Sequence, residues 1–199
     1  MMGAEMKTEI TRQDIMPIDD YITERKQRRK QLVETKRNRR VEVGPVATWY
    51  FENYETMWNQ VHEMLYIERG GEEQIADELA AYNPLIPQGS ELVATIMFEM
   101  DDPERRKRLL SKIGGIEEKT FMKINGETVE ARPEADVDRT SADGKASSVQ
   151  FLHFDLTPEQ IEAFKSEGAE IVVGFSHPDY HHMTQLSEPV RAALAEDLS

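Results

Sequence analysis

The sequence predicts an α+β fold, in which a mixed or mostly antiparallel sheet has helices packed on it and a helical N-terminal arm precedes the sheet. Two observations support this class. Helical and strand patterns are interspersed along the 199 residues, and turn signals typical of β-hairpins outnumber clean strand–helix–strand crossovers. A change in composition near residues 40–45 predicts a basic arm over residues 1–44 and a single α+β domain over residues 45–199.

The arm is predicted to be one long helix. Pro17 suits a first helical turn, acidic residues follow it, and basic residues crowd the far end, as the helix dipole favours. Between Arg25 and Arg40, nine basic residues stand against Glu34 alone. We interpret this run as a helix docked on its own domain or on an acidic partner; the alternative, a nucleic-acid contact, is disfavoured because no aromatic residues are interleaved. Four apolar residues fall roughly on one helical face: Ile18, Ile22, Leu32 and Val33.

Apolar periodicity then predicts the elements of the domain. The strongest pattern, from Tyr54 to Glu68, repeats at three and four residues, which is typical of an amphipathic helix, and Gly70-Gly71 ends it. Asn125-Gly126 between two apolar stretches is the strongest hairpin signal. Pro133 to Ser147 is polar and is predicted to be a mobile loop or lid. The other predicted elements are strands 41–43, 46–51, 91–100, 149–156 and 169–175, helices 72–82, 101–112 and 157–166, hairpin strands 120–124 and 128–132, and a last helix from Ser187.

Composition and charge exclude several classes of function. The chain has no cysteine, which excludes disulfides, thiolate nucleophiles and iron–sulfur ligation by its own residues. No apolar run approaches the roughly 20 residues that span a bilayer, and no signal-peptide pattern opens the sequence. The formal net charge of −14 favours solubility and repels nucleic acid and anionic membranes. We therefore expect a cytoplasmic protein that contacts no membrane.

A metal centre is one hypothesis for the site. The segment His177-Pro-Asp-Tyr-His181-His182 follows an apolar strand, and a helical turn opened by its proline would put His177 and His181 on one face. With Glu63 and Glu68 as further ligands, these histidines would form a nitrogen and oxygen site suited to zinc, manganese or non-haem iron. The structural alternative is that His177 bonds to backbone groups.

The helix 54–68 holds further candidates. Glu68 falls on its apolar stripe, so its carboxylate is predicted to face a mostly apolar environment. A buried carboxylate must be paired, hydrogen-bonded or protonated, and Arg69, Arg139 or a histidine is a candidate partner. The pattern fits a functional site and also a structural ion pair. His153, on the strand 149–156, is predicted to be a partly buried sheet residue rather than a ligand.

Four segments carry a family resemblance. They are Glu63-Met-Leu-Tyr-Ile-Glu68-Arg69, Glu78-Leu-Ala-Ala-Tyr82-Asn83-Pro-Leu-Ile-Pro87, Ser148-Val-Gln-Phe-Leu-His-Phe154 and His177-Pro-Asp-Tyr180. In this order and spacing they resemble a bacterial family known as domain of unknown function 3501, over nearly the whole chain. The resemblance implies no catalytic residue. It implies a setting, because such proteins tend to be encoded near rubrerythrin-like and iron–sulfur oxidoreductase-like proteins, which suggests a redox or oxidative-stress role.

These observations give three functional hypotheses. The first is a cytoplasmic accessory protein without catalysis of its own, which binds a redox protein (rubrerythrin-like or iron–sulfur) or a small ligand beside the helix segment 63–69. The second is a metal-dependent enzyme that uses His177, Glu63 and Glu68 with Fe, Mn or Zn. The third is nucleic-acid binding through residues 25–40. The candidate ligand-binding residues are Glu63, Glu68, Arg69, Tyr82, Asn83, Arg139, His177 and Tyr180.

Overall fold

The computed structural model describes residues 6–135 and 139–199. Within these ranges the chain forms six α-helices and nine β-strands, so the predicted α+β class is confirmed. The helices are α1 (Ile18–Arg37), α2 (Tyr54–Glu68), α3 (Glu72–Tyr82), α4 (Pro103–Lys112), α5 (Pro158–Lys165) and α6 (Glu188–Ala195). The strands are β1 (Arg40–Val43), β2 (Ala47–Phe51), β3 (Glu91–Phe98), β4 (Thr120–Ile124), β5 (Glu127–Glu130), β6 (Arg132–Pro133), β7 (Val149–Asp155), β8 (Ile171–His177) and β9 (Tyr180–Gln185).

The strands form two antiparallel sheets where the sequence predicts one. The first sheet has the strand order β1-β2-β3-β7-β6, and the second has the order β5-β4-β8-β9. Tyr180 links the two sheets at one edge, because its hydroxyl donates to the Val43 carbonyl at 2.8 Å and accepts from the Ala47 N–H at 3.0 Å. This hydroxyl is therefore committed to backbone groups, and Tyr180 is a structural residue.

The main hydrophobic core lies between the two sheets. Alternate residues of β2, β3 and β7 point inward and meet the inward residues of β4 and β8, as the two-residue period of a strand requires. Trp49 lies in this core, with its ring centroid 5.4 Å from Phe154 and 5.5 Å from Phe175. Helices α4, α5 and α6 add apolar side chains to the same core. Two sheets bury apolar residues that a single sheet would leave facing water.

The opposite face of the first sheet carries a helical layer. Helix α2 packs on this face through Met57 and Val61, which join Val93 and Phe151 of the sheet in a second apolar cluster. Helices α1 and α3 each contact α2. No helix of this layer, or elsewhere in the described residues, is long and apolar enough to cross a membrane.

The bounds of α2 and of one hairpin follow from local sequence signals. The Asn53 side-chain oxygen accepts a hydrogen bond from the Thr56 N–H at 2.9 Å and so caps the start of α2. Arg69 ends the helix in the left-handed conformation, with φ of 56°, and Gly70-Gly71 follows as predicted. The hairpin between β4 and β5 turns at Asn125-Gly126, where both residues have positive φ.

The polar segment 133–147, predicted to be a mobile loop or lid, lies partly outside the described residues, which omit 136–138. Pro133 at its start belongs to β6, which pairs with β7. Near its end, Ala146 is buried and its N–H donates to the Leu110 carbonyl at 2.9 Å. The described ends of the segment are therefore packed on the fold.

Candidate functional site

Helix α1 is fixed to α2 by a carboxylate clamp. The Glu63 carboxylate accepts from the Tyr21 hydroxyl at 2.7 Å and from two guanidinium nitrogens of Arg25, at 2.8 and 2.7 Å. These hydrogen bonds from Arg25, together with its charge, hold the pKa of Glu63 below its ordinary value. Both oxygens of this predicted site residue are therefore used to join two helices of the same chain.

An aromatic stack adds a second anchor beside the clamp. The Arg28 guanidinium lies over the Trp58 ring, 4.6 Å from its centroid, and the His62 ring stacks on Trp58 at 3.7 Å. The two His62 nitrogens lie 2.7 Å from the Trp58 carbonyl and 3.0 Å from the Met16 N–H, which requires Nδ1 to donate and Nε2 to accept. Burial lowers the pKa of His62, so this histidine is a neutral structural residue.

The other side of α1 is exposed. Of the apolar stripe predicted from the sequence, Leu32 is half-buried, whereas Ile18, Ile22 and Val33 are 36%, 40% and 64% exposed. At about 100° per residue, these three lie within about 60° of one another around the helix, and Arg29 falls between them. Helix α2 therefore covers only part of the predicted apolar stripe, and Ile18, Ile22 and Val33 remain open to solvent.

Positive charge accompanies this apolar strip. Within residues 6–135 and 139–199, no carboxylate oxygen lies within 4.0 Å of the side-chain nitrogens of Lys26, Arg29 or Lys30. These residues line an open groove of about 390 Å³ together with Ile22, Arg25 and Tyr66. We call the exposed surface formed by Ile18, Ile22, Lys26, Arg29, Lys30 and Val33 the α1 face.

Helix α4 is a useful comparison, because it has basic charge without exposed aliphatic residues. It is also basic, with Arg105, Lys107 and Arg108 exposed. Of the five strongly exposed large apolar side chains in the described residues, however, three belong to the α1 face, Ile67 lies near the end of α2, and Met183 lies on β9. Basic charge alone therefore occurs twice in the chain, whereas basic charge interleaved with exposed aliphatic residues marks the α1 face.

The prediction that Glu68 faces an apolar environment is wrong. Glu68 is the exposed last residue of α2, and its carboxylate accepts from the Gln74 amide at 2.9 Å. The helical period alone does not show where neighbouring elements stop covering a helix. Arg69 folds back at the helix end, with Nε donating to the Tyr66 carbonyl at 2.9 Å and its guanidinium 5.2 Å from the Tyr66 ring centroid.

Three other predicted residues lie at separate places. Asn83 exchanges two hydrogen bonds with the backbone of Ile10, accepting at 2.8 Å and donating at 2.9 Å, and so fixes the N-terminal segment. Tyr82 is half-buried and lines a groove beside the first sheet. The Arg139 carbonyl accepts from the Ser147 N–H at 2.7 Å. None of these contacts joins Arg139 to Tyr82 or Asn83.

The predicted pair of metal-ligating histidines is split by the β8–β9 hairpin. His177 lies directly opposite Tyr180, and His181 lies opposite Ser176. His177 and His181 therefore point to opposite faces of the second sheet, because adjacent positions alternate. The prediction of a helical turn opened by Pro178 is wrong, since this proline belongs to a two-residue hairpin turn.

The remaining geometry favours the structural alternative for His177. Its Nδ1 accepts from the Asp179 N–H at 3.1 Å, and its Nε2 lies 3.3 Å from the Gly114 carbonyl. Glu63 belongs to the helical layer, on the far side of the first sheet from β8. In the part of the chain that the structure describes, no group of three or more His, Asp or Glu side chains is placed to hold a metal ion.

His153 lies in a polar cluster that the sequence pattern does not reveal. It is 3% exposed, with Nδ1 2.9 Å from a Glu91 oxygen and Nε2 2.6 Å from a Glu134 oxygen. Burial by itself lowers the pKa of His153, but the two carboxylates more than offset this and raise it above its ordinary value. Arg132 bridges the same cluster, with a guanidinium nitrogen 3.3 Å from Glu91 and another 2.7 Å from Asp155.

Comparison with known proteins places this fold in a family. The family model described as "protein of unknown function (DUF3501)" matches residues 9–198, so the chain belongs to that family and the resemblance is confirmed. A crystal structure of a novel protein of unknown function from Burkholderia pseudomallei K96243 is similar, with a TM-score of 0.88 and 34% sequence identity. The likeness covers 96% of this chain and 99% of that one. Among curated proteins, none matches the chain.

Proposed function

We propose that this protein is an accessory protein that docks an acidic protein partner through the α1 face. The proposal rests on one observation: exposed Ile18, Ile22 and Val33 share a helical surface with Lys26 and Arg29, in a chain whose net charge is −14. Exposed aliphatic side chains that share one helical surface with charged residues support an interaction site there. The partner class follows from the charge, because carboxylates would compensate three cations that have no carboxylate within 4.0 Å among the described residues.

The chemistry of the face favours a protein over a nucleic acid. Aliphatic side chains neither stack on bases nor pair with phosphates, so they would weaken a nucleic-acid contact. The one aromatic residue of α1, Tyr21, is buried against α2. A protein surface with carboxylates around an apolar centre would match the face and would associate rapidly through electrostatic attraction.

The family resemblance supports extending the proposal to a redox setting in the cytoplasm. It implies rubrerythrin-like or iron–sulfur proteins as neighbours, and either could present an acidic surface. In this role the partner carries out the electron transfer, and the chain described here recognises and positions it. The partner surface would meet α1 beside the helix segment 63–69, where the clamp at Glu63 keeps the face rigid.

Binding to the purified rubrerythrin-like protein from the same genome tests this proposal. We expect association that weakens as salt rises from 50 to 300 mM, because surface charge attraction is screened over about 10 Å at about 0.1 M salt. The triple charge reversal Lys26→Glu, Arg29→Glu, Lys30→Glu should weaken binding at least about tenfold. Biolayer interferometry with the full chain measures both effects.

Two controls make the result specific. The matched reversal Arg105→Glu, Lys107→Glu, Arg108→Glu on α4 changes net charge by the same amount away from the α1 face and should leave affinity within about threefold. The pair Ile22→Ser, Val33→Ser keeps every charge and should also weaken binding. Absence of binding, or equal loss in the α1 and α4 reversals, would overturn the proposal. Tighter binding to a single-stranded RNA than to the protein would favour the nucleic-acid hypothesis instead.

A further inference from the structure

A second cavity lies on the other side of α2, independent of the α1 face. It is a groove of about 340 Å³ between the start of α2, the end of α3 and the outer face of the first sheet. This volume falls within the range of small-molecule sites, about 300–1,000 Å³. Of the residues predicted as ligand-binding, only Tyr82 lines it.

One of the polar groups that line the groove is the buried Glu52 carboxylate. Glu52 follows β2 directly and is 6% exposed. Its Oε1 accepts from the Thr95 hydroxyl at 2.7 Å, and its Oε2 accepts from the Thr56 hydroxyl at 2.5 Å. Two hydroxyl donors hold this carboxylate in place but leave acceptor capacity on each oxygen.

In the part of the chain that the structure describes, no cation contacts the Glu52 carboxylate. Among the described residues, no Lys, Arg or His nitrogen lies within 4.0 Å of Glu52. Lys36 also lines the groove, beyond that distance. Burying a carboxylate without a charge partner is costly, so a ligand that supplies positive charge would gain a strong, charge-assisted hydrogen bond.

The walls of the groove are suited to an apolar ligand body. Tyr50, Tyr82 and Phe151 supply aromatic surface, and Met57 and Met97 supply flexible apolar surface. Aromatic walls also attract cations through the ring faces. A few convergent polar groups in a largely apolar groove are typical of a small-molecule site.

We propose that this groove binds a small organic cation, in which a protonated amine meets Glu52 and an aromatic or branched aliphatic body lies against Tyr50, Tyr82 and Phe151. A metal cation fits less well, because one carboxylate and two hydroxyls give few ligands for a hard ion. An anion would meet the buried negative charge of Glu52. The proposal therefore fixes the sign of the ligand charge as well as the size of its body.

Two probes of matched shape and opposite charge test this site. Phenethylamine and phenylacetate share a ring and a two-carbon side chain and differ in the sign of the terminal charge. We expect phenethylamine to shift the methyl NMR signals of Met57 and Met97, with a dissociation constant of about 1 mM, as suits so small a ligand. Phenylacetate should bind at least about tenfold more weakly. The exposed Met183 serves as a reporter outside the groove.

Variants assign the binding to Glu52. Glu52→Gln should weaken phenethylamine at least about tenfold, since a neutral amide loses the charge-assisted bond, while its amide can still bond the two threonine hydroxyls. Glu55→Gln makes the same change at an exposed position of α2 outside the groove and should have no effect. Tyr82→Ala removes a wall with Glu52 in place and should weaken binding by a smaller factor.

Three outcomes would overturn the proposal. They are equal affinity for the two probes, equal effects of Glu52→Gln and Glu55→Gln in proteins with unchanged backbone spectra, and no methyl shift up to about 20 mM amine. The docking proposal does not depend on any of them, because its variants lie on α1 and its readout is binding of a protein.

Discussion

Glu63 lies in α2 and Glu52 lies just before it, and the two carboxylates differ in the groups that donate hydrogen bonds to them. Glu63 is held by a bidentate arginine and a tyrosine hydroxyl, all from α1. Glu52 is held by two threonine hydroxyls and has no cation within 4.0 Å in the described residues. The partners of these carboxylates, more than their burial, separate the structural role of Glu63 from the binding role proposed for Glu52.

The largest expected effect tests this comparison directly. Glu63→Gln should lower the free energy of unfolding by about 1.5–3 kcal/mol, because charge-assisted hydrogen bonds are lost and Arg25 keeps only a neutral partner. Glu52→Gln should change it by less than about 1 kcal/mol, because the hydroxyl bonds persist. Urea unfolding followed by circular dichroism measures both values. Equal losses in the two variants would break the distinction drawn between the two carboxylates.

His153 resembles Glu63 in having charged side chains as partners, the carboxylates of Glu91 and Glu134. His153→Phe should lower the free energy of unfolding by about 1–3 kcal/mol at pH 6, because Glu91 loses one partner and Glu134 another. The two carboxylates outweigh burial and raise the pKa of His153, so this contribution is fully present below the ordinary value near 6.5 and is lost as pH rises through the folded value. The difference between wild type and variant should therefore shrink at pH 9. A difference that grows with pH would contradict the assignment.

The Glu63 clamp should show the opposite dependence on pH. Hydrogen bonds and charge from Arg25 lower the pKa of Glu63, so its contribution is present above the ordinary value near 4.5 and is lost as pH falls through the lowered value. Unfolding of wild type and Glu63→Gln, measured between pH 7 and pH 3, should converge at the acid end. Arg25→Ala should remove the same dependence, which identifies the partner. If the free energies of unfolding of wild type and Glu63→Gln stayed the same distance apart over that pH range, the ionised Glu63 clamp would not be the cause.

The smallest effect is expected for the cations of the α1 face. The triple variant Lys26→Glu, Arg29→Glu, Lys30→Glu should change the free energy of unfolding by less than about 1 kcal/mol, because exposed side chains that form no close ion pair within the described residues contribute little. Thermal unfolding of the triple variant beside Arg25→Ala measures the contrast on one helix. A loss as large as that of Arg25→Ala would show that these cations are structural and would weaken the docking proposal.

The sequence predicts much of the local structure. The position of α2 follows from its repeat of apolar residues and from the glycine pair after Arg69, and the β4–β5 hairpin follows from Asn125-Gly126. These signals act within one or two turns of chain, so a single sequence carries them. The sequence was a poorer guide to the site. Glu68 and His181, which were predicted as ligands, lie at exposed positions. Glu63 joins α1 to α2, and Tyr180 joins β9 to β1.

What the sequence by itself determined is local or additive: the α+β class, most helix and strand positions but not β6 or β9, the acidic charge, the absence of cysteine and the family. Only the tertiary structure decided which distant groups meet. Thr95 reaches Glu52 across 43 positions of the chain, and Glu91 reaches His153 across 62. The physical reason is that the register of strand pairs sets such contacts, and this register depends on how whole faces are buried rather than on any local run of residues.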